Sequence, residues 1–139
     1  MLKTSRFYRS AAVLSLMLAS SAAIAQDDAC LSLDTAITVA VAQEYAPLVA
    51  EAAETTPEEV EFLSFMRSDN WSAVYAAVPT ADPGYFFFED VDGQIQFKDV
   101  WGGVADASER DGQIAFAEGL GAPADLAACF ADHTAIIEE

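Results

Sequence analysis

The clearest pattern in this chain is a run of apolar positions on either side of a tight-turn dipeptide. Four consecutive aromatic residues, Tyr85–Phe88, precede Asp92-Gly93, and further aromatic and β-branched residues follow at strand spacing. Asp-Gly is favoured in two-residue turns, in which both central residues take positive φ. We therefore predict a β-hairpin that pairs Phe88 with Phe97 and Asp90 with Ile95.

Counting further out from the turn places apolar residues on both faces of this hairpin. The predicted outer pairs are Glu89 with Gln96, Phe87 with Lys98, Phe86 with Asp99, and Tyr85 with Val100. Near its open end the hairpin must be covered on both sides, or it leaves an aromatic patch in water. An isolated hairpin is only marginally stable, so we expect neighbouring helices to supply the cover.

Apolar positions recurring at three and four residues predict an amphipathic helix before the hairpin. Its stripe runs from Cys30 to Leu48. Pro47 either kinks this helix or opens a second short one that ends at Ala53. A capping box in residues 55–59 has proline at the first helical position, which predicts another helix over residues 57–68.

The segments next to the hairpin carry mixed signals. Residues 71–78 fit a helical stripe, while their β-branched and aromatic content also fits a strand, and we favour a helix. After the hairpin, Gly102-Gly103 ends the second strand, and residues 107–120 form a weaker helix interrupted by Gly112. Pro123 opens a last helix. The predicted fold class is α+β, with helices at both ends packed around a central antiparallel hairpin.

The first 25 residues have the pattern of a secretory signal peptide. Lys3, Arg6 and Arg9 precede an apolar run, and an A-x-A site ends at Ala25. We expect cleavage near Ala25-Gln26, a periplasmic or secreted location, and a single domain over residues 26–139. We expect neither a lipid anchor nor membrane insertion, because no other apolar stretch reaches the roughly 18 residues of a spanning helix.

Charge narrows the range of partners. Loss of residues 1–25 leaves three basic residues against 23 carboxylates, a formal net charge of −20. Nucleic acid and anionic membranes are poor partners for such a surface, because both are bound through basic patches. The field would attract cations or a basic protein, although a strongly acidic surface also serves solubility alone.

Two cysteines, Cys30 and Cys129, lie near opposite ends of the expected mature chain, each on an apolar stripe. In an exported protein such a pair is typical of a disulfide bond, which would join the first helix to the last. A metal or redox pair is the competing interpretation, but C-x-x-C spacing is missing.

Carboxylates around the predicted turn suggest a possible calcium site. Asp90, Asp92 and Asp99 fall at positions 3, 5 and 12 of an EF-hand loop. Phe88 stands at position 1 and carries no ligand oxygen. A looser calcium site built from Glu89, Asp90, Asp92 and Asp99 is the alternative, and a solvated turn is the simplest interpretation.

Catalytic signals are weak. The single histidine, His133, shares an apolar stripe with Cys129, which favours a half-buried packing role. No phosphate-binding glycine loop is present, and we expect no resident cofactor. A carboxylate-dependent hydrolase is one alternative, and it would require two acids that face each other in a concave pocket.

We therefore expect a binding protein that performs no chemistry. Its partner, a protein or a small molecule, would meet the open end of the hairpin. The predicted contact residues are Tyr85, Phe87, Trp101, Gly102 and Gly103. The competing interpretation is that the aromatic residues form the core of a small domain. A calcium-responsive protein is the second functional hypothesis, and the hydrolase is the third.

Overall fold

The computed structural model describes residues 29–103 and 105–136. The predicted signal peptide and cleavage site lie outside these residues. The fold class is α+β, as predicted, but the hairpin belongs to a four-stranded antiparallel sheet with strand order β1-β2-β3-β4. The strands are β1 (Glu61–Ser68), β2 (Trp71–Val78), β3 (Ala81–Val91) and β4 (Gln94–Gly102).

Three α-helices lie within the described residues. They are α1 (Val39–Ala52), α2 (Arg110–Leu120) and α3 (Ala124–Ile136), and short 3-10 turns span Ala29–Ser32, Pro57–Glu59 and Ala107–Glu109. Helix α1 packs on one face of the sheet, and α2 and α3 pack on the other face. The helices thus cover the two faces of a sheet, and the predicted arrangement around a lone hairpin is not confirmed.

The predicted helices over residues 57–68 and 71–78 are wrong, because both segments form strands. The capping box is present, with Thr56 as N-cap and Glu59 at the third position, but it opens only one 3-10 turn. Both strands carry apolar residues on two faces, since the sheet is covered on both sides. A bulge between Phe62 and Ser64 also breaks the alternation of β1. Short apolar runs of this kind fit helix and strand alike.

The first helix begins later than predicted. Thr38 caps α1 by accepting a hydrogen bond from the N–H of Val41 at 3.1 Å, and the helix then continues through Pro47 to Ala52. The predicted start at Cys30 is wrong, because that residue lies in a separate 3-10 turn. Both C-terminal helices are present, and α3 opens after Pro123 as predicted. The predicted interruption at Gly112 is wrong, because α2 runs through that residue without a break, and residues 107–109 form a 3-10 turn before it.

The predicted hairpin forms with the expected turn. Asp92 and Gly93 have φ of 54° and 83°, as a type I′ turn requires. Pairing follows the prediction from Asp90 with Ile95 to Phe88 with Phe97. A bulge then shifts the register by one residue, and the outer pairs become Phe87 with Asp99, Phe86 with Val100, and Tyr85 with Trp101. The predicted outer pairs with Lys98, Asp99 and Val100 are therefore wrong.

The disulfide between Cys30 and Cys129 is present, with the two Cα atoms 4.7 Å apart. It ties the first 3-10 turn to α3, not to α1. Cys129 is fully buried beside Phe130 in the core between the sheet and the C-terminal helices.

The packing of Gly121 against Trp71 in this core can be tested by substitution. Gly121 ends α2 with φ of 109°, and a Cβ added there would lie 3.2 Å from the Trp71 ring. Gly121→Ala is expected to lower the free energy of unfolding by about 1–2 kcal/mol, because a left-handed backbone and a fixed indole both oppose the methyl group. Urea denaturation would measure this loss.

Gly112→Ala is the matched control. It lies inside the same helix, and no atom outside the local helix backbone comes within 4 Å of an added Cβ. This change is expected to raise the free energy of unfolding by about 0.5–1 kcal/mol. Equal effects at the two glycines would contradict the assigned helix end.

Candidate functional site

The aromatic residues predicted to face a partner lie mostly in the core. Tyr85 is 2% exposed and Phe87 is fully buried. The ring of Phe130 in α3 lies 5.0 Å from each of their rings, centroid to centroid. The prediction of an exposed surface is therefore wrong for Tyr85 and Phe87, because α2 and α3 cover this face of the sheet.

The other predicted contact residues lie closer to solvent. Trp101 is half-buried, with its ring 5.1 Å from that of Phe116, while Gly102 and Gly103 are exposed. The bulge in β4 explains the position of Trp101. By shifting the register it turns this side chain inward beside Tyr85 and turns Val100 to the opposite face, beside Phe86.

The exposed apolar surface of the hairpin lies instead on the α1 face. Phe97 and Val100 of β4 are 43% and 40% exposed. The aromatic packing of α1 is centred further in, where the Tyr45 ring lies 5.3 Å from Phe65 and 5.4 Å from Phe88. Because α1 stops short of the edge strand, β4 keeps these two side chains in water.

A cleft of about 340 Å³ lies beside Val100, where the C-terminal end of α1 meets the turn between β2 and β3 and the open end of the hairpin formed by β3 and β4. We call it the hairpin cleft. Its apolar lining includes Val78, Gly84, Phe86 and Val100. The absence of a side chain at Gly84 is required, since an added Cβ would lie 3.0 Å from Cγ2 of Val100 and 3.1 Å from the Trp101 carbonyl oxygen.

The polar groups of the hairpin cleft favour a positive charge. Glu54 and Asp82 line it and are exposed, and no basic residue contributes to its lining within the described part of the chain. The C-terminal end of α1 adds the negative end of a helix dipole. Thr80 holds the strand turn to this helix end by donating a hydrogen bond to the Ala53 carbonyl oxygen at 2.9 Å.

The carboxylates predicted to bind calcium do not converge. Glu89 pairs with Lys98 at 2.9 Å, and Asp99 accepts a hydrogen bond from the N–H of Val100 at 2.8 Å. Asp90 and Asp92 are exposed at the turn. Among the described residues, no three acidic, histidine or cysteine side chains form a group that could hold a metal ion. Calcium binding at the turn stays a prediction.

His133 is half-buried and packs against tyrosines, in agreement with the predicted packing role. Its Nδ1 shares a hydrogen bond with the Tyr85 hydroxyl, and its ring meets Tyr75 edge-on. Burial is the main cause that raises the pKa of Tyr85 above its ordinary value, and a nearby hydrogen bond with Thr134 opposes that shift. This cluster keeps a neutral phenol in the core at ordinary pH.

Comparison with protein-family models, with curated proteins and with solved structures finds no match for this chain. Across residues 29–103 and 105–136, no helix has both the length and the apolar character needed to cross a membrane.

Of the five contact residues predicted from the sequence, only Gly102 lines the hairpin cleft. Val100 and Glu54 also line the cleft, but the sequence did not predict them as contact residues. Strict alternation from the turn assigned Val100 to the other face. The bulge reverses that assignment, and no residue pattern in β4 predicts the bulge.

Proposed function

We propose that this protein is an exported binding protein that holds a hydrophobic cation in the hairpin cleft without altering it. The observation that carries the proposal is the combination within one cleft of an apolar floor and two carboxylates, with no basic residue among the described residues that line it. The disulfide supports export, because such bonds persist in oxidising compartments.

The shape of the cleft supports a ligand with an apolar chain that ends in a positive charge. The chain would cover the exposed part of Val100 beside the buried Phe86 ring, and removing that apolar surface from water contributes about 25 cal/mol per Å². The charge would lie near Glu54 and Asp82 at the rim. A primary alkylammonium ion and a lysine side chain of a basic protein share this chemistry.

The two carboxylates also meet the first requirement of the hydrolase alternative, because they line the same cleft. Both are exposed to solvent. Carboxylate catalysis depends on a site that excludes water and fixes both acids against the substrate. The open rim therefore supports attraction of a cation better than it supports chemistry.

Titration with octylammonium tests this proposal. Calorimetry is expected to show saturable binding of octylammonium, and no binding of octanoate or butylammonium, because one lacks the positive charge and the other lacks the apolar length. Val100→Lys is expected to weaken octylammonium binding by about tenfold, since it places a like charge on the floor of the cleft. Glu54→Gln is expected to weaken it by about threefold.

Leu63→Lys is the matched control, because Leu63 is 42% exposed on the opposite edge strand and lies outside the cleft. Its affinity for octylammonium should equal that of the unaltered protein. An affinity unchanged by Val100→Lys, or equal binding of octanoate, would overturn the proposal. A lysine-rich peptide that competes with octylammonium would identify a basic protein as the source of the ligand group.

A further inference from the structure

The outer edge of β1 already makes ladder hydrogen bonds at one end. The N–H of Arg67 donates to the Asp34 carbonyl oxygen at 2.9 Å, and the N–H of Asp34 donates to the Arg67 carbonyl oxygen at 3.3 Å. The two residues form an isolated antiparallel bridge. This edge of the sheet can therefore pair with another stretch of extended chain.

The chain that forms the bridge leaves the edge after Asp34. Since Arg67 directs both backbone groups away from β2, the alternation of an antiparallel strand places the N–H and C=O of Phe65 at the same outer edge. Among the described residues, only Asp34 forms backbone hydrogen bonds with this edge from outside the sheet. Within residues 29–103 and 105–136, the next position of the ladder therefore has no backbone partner.

A groove of about 330 Å³ occupies that position. Its lining comes from the segment after Asp34, from β1, from the disulfide and from α3: Thr35, Ile37, Leu63, Ser64, Phe65, Met66, Cys30, Cys129, Asp132 and His133. We call it the β1 groove. Ile37 and Leu63 are 45% and 42% exposed, so the groove has apolar walls beside an open strand edge. An added strand with alternating apolar side chains would satisfy both features.

The acidic charge of the protein favours a basic segment as the added strand. Arg67 pairs with Asp34 at 2.7 Å and Arg110 pairs with Asp132 at 2.8 Å, so an aspartate neutralises each of the two arginines near the groove in the described part of the chain. Glu59 and Glu61 are exposed just before and at the start of β1. A second copy of this chain, which has a formal net charge of −17 over its full sequence, would be repelled.

We propose that the β1 groove binds an extended segment of a basic polypeptide as an added strand. Hydrogen bonds with the outward-facing N–H and C=O of Phe65 align the segment with β1. Apolar side chains of the segment cover Ile37 and Leu63. Basic side chains on the other face of the segment meet the acidic surface. This site is separate from the hairpin cleft and does not depend on the function proposed for it.

A labelled eight-residue peptide, equal in length to β1, tests this inference. Lysine and valine alternate in the peptide, and fluorescence anisotropy measures its affinity at about 0.15 M salt. Saturable binding is expected, with amide signals of Leu63 and Phe65 shifting in NMR spectra. A peptide of the same composition in two blocks, lysines then valines, is expected to bind about tenfold more weakly, because it cannot alternate its faces.

Backbone methylation separates strand addition from charge attraction. Methylating the N–H groups of one alternate set of residues is expected to weaken binding by about tenfold, while methylating the other set leaves it nearly unchanged, because only one set faces β1. Equal effects of the two sets would overturn the inference. So would equal affinity of the blocked peptide.

Two lysine variants locate the site. Leu63→Lys is expected to weaken peptide binding at the β1 groove, followed by the amide signal of Phe65, by about tenfold. Val100→Lys, on the other edge strand, is expected to leave the affinity followed by that signal unchanged. Leu63→Lys is the control for the hairpin cleft, and Val100→Lys is the control for the β1 groove. The two proposals can therefore be rejected independently of each other. Dimerisation of the unaltered protein that Leu63→Lys abolishes would overturn the inference in favour of a second copy.

Discussion

Breaking the Cys30–Cys129 bond is expected to lower the free energy of unfolding by about 4–5 kcal/mol. The bond closes a loop between residues 99 positions apart, so its loss restores a large entropy to the unfolded chain. Total stabilities of small domains are about 5–15 kcal/mol, and the loss would be a large part of that total. Urea denaturation of the oxidised protein and of the double variant Cys30→Ala, Cys129→Ala would measure it.

Reduction of the unaltered protein is the control for this variant. It breaks the same bond while keeping both sulfur atoms in the core, where Cys129 is fully buried. A gain in mass of one hydrogen atom per cysteine confirms that the bond was present. Equal denaturation midpoints for the oxidised and reduced proteins would contradict the stabilising role.

Phe130→Ala is expected to destabilise the protein by about 3–5 kcal/mol. Phe130 is fully buried at the centre of the core on the α2 and α3 face. Its ring lies 5.0 Å from those of Tyr85 and Phe87 and 6.0 Å from that of Trp101. Truncation leaves a cavity among rings that the paired strands β3 and β4 hold in place, so the cavity cannot easily collapse.

Phe97→Ala is the matched control for this truncation. The same side chain is removed, but it is 43% exposed on the edge strand β4. We expect the free energy of unfolding to fall by less than about 1.5 kcal/mol, because only part of the Phe97 side chain is buried, against Phe86 and Phe88. Chemical denaturation of both variants separates the two values, and similar losses would contradict the assignment of the core.

The strands β1 and β2 show where sequence patterns mislead. Their apolar residues are spaced in a way that fits one face of a helix, and the capping box before β1 has the correct residues for a helix start. A capping box satisfies only the first backbone N–H groups, whereas the sheet supplies hydrogen bonds and apolar contacts along the whole segment. Pairing with distant residues therefore overrides the local preference.

The residues alone were sufficient for the hairpin turn and for the disulfide. Asp92 and Gly93 both have positive φ, which the Asp-Gly dipeptide favours. Each of the two cysteines had only the other as a possible disulfide partner among the described residues. Both features depend on local chemistry or on simple counting. Export was also predicted from residues 1–25, which lie outside the structure described here.

Both candidate sites required the tertiary structure. The bulge in β4 turns Val100 outward and Trp101 inward, and it depends on how two strands align over their whole length. The β1 groove is lined by Thr35, Ile37 and residues of β1, and the segment that forms β1 was predicted to be a helix. Sequence alone determined the turn, the covalent link and the acidic charge of this protein. Only packing of the helices against both faces of the sheet decided which apolar side chains remain exposed, because burial depends on contacts between residues far apart in the chain.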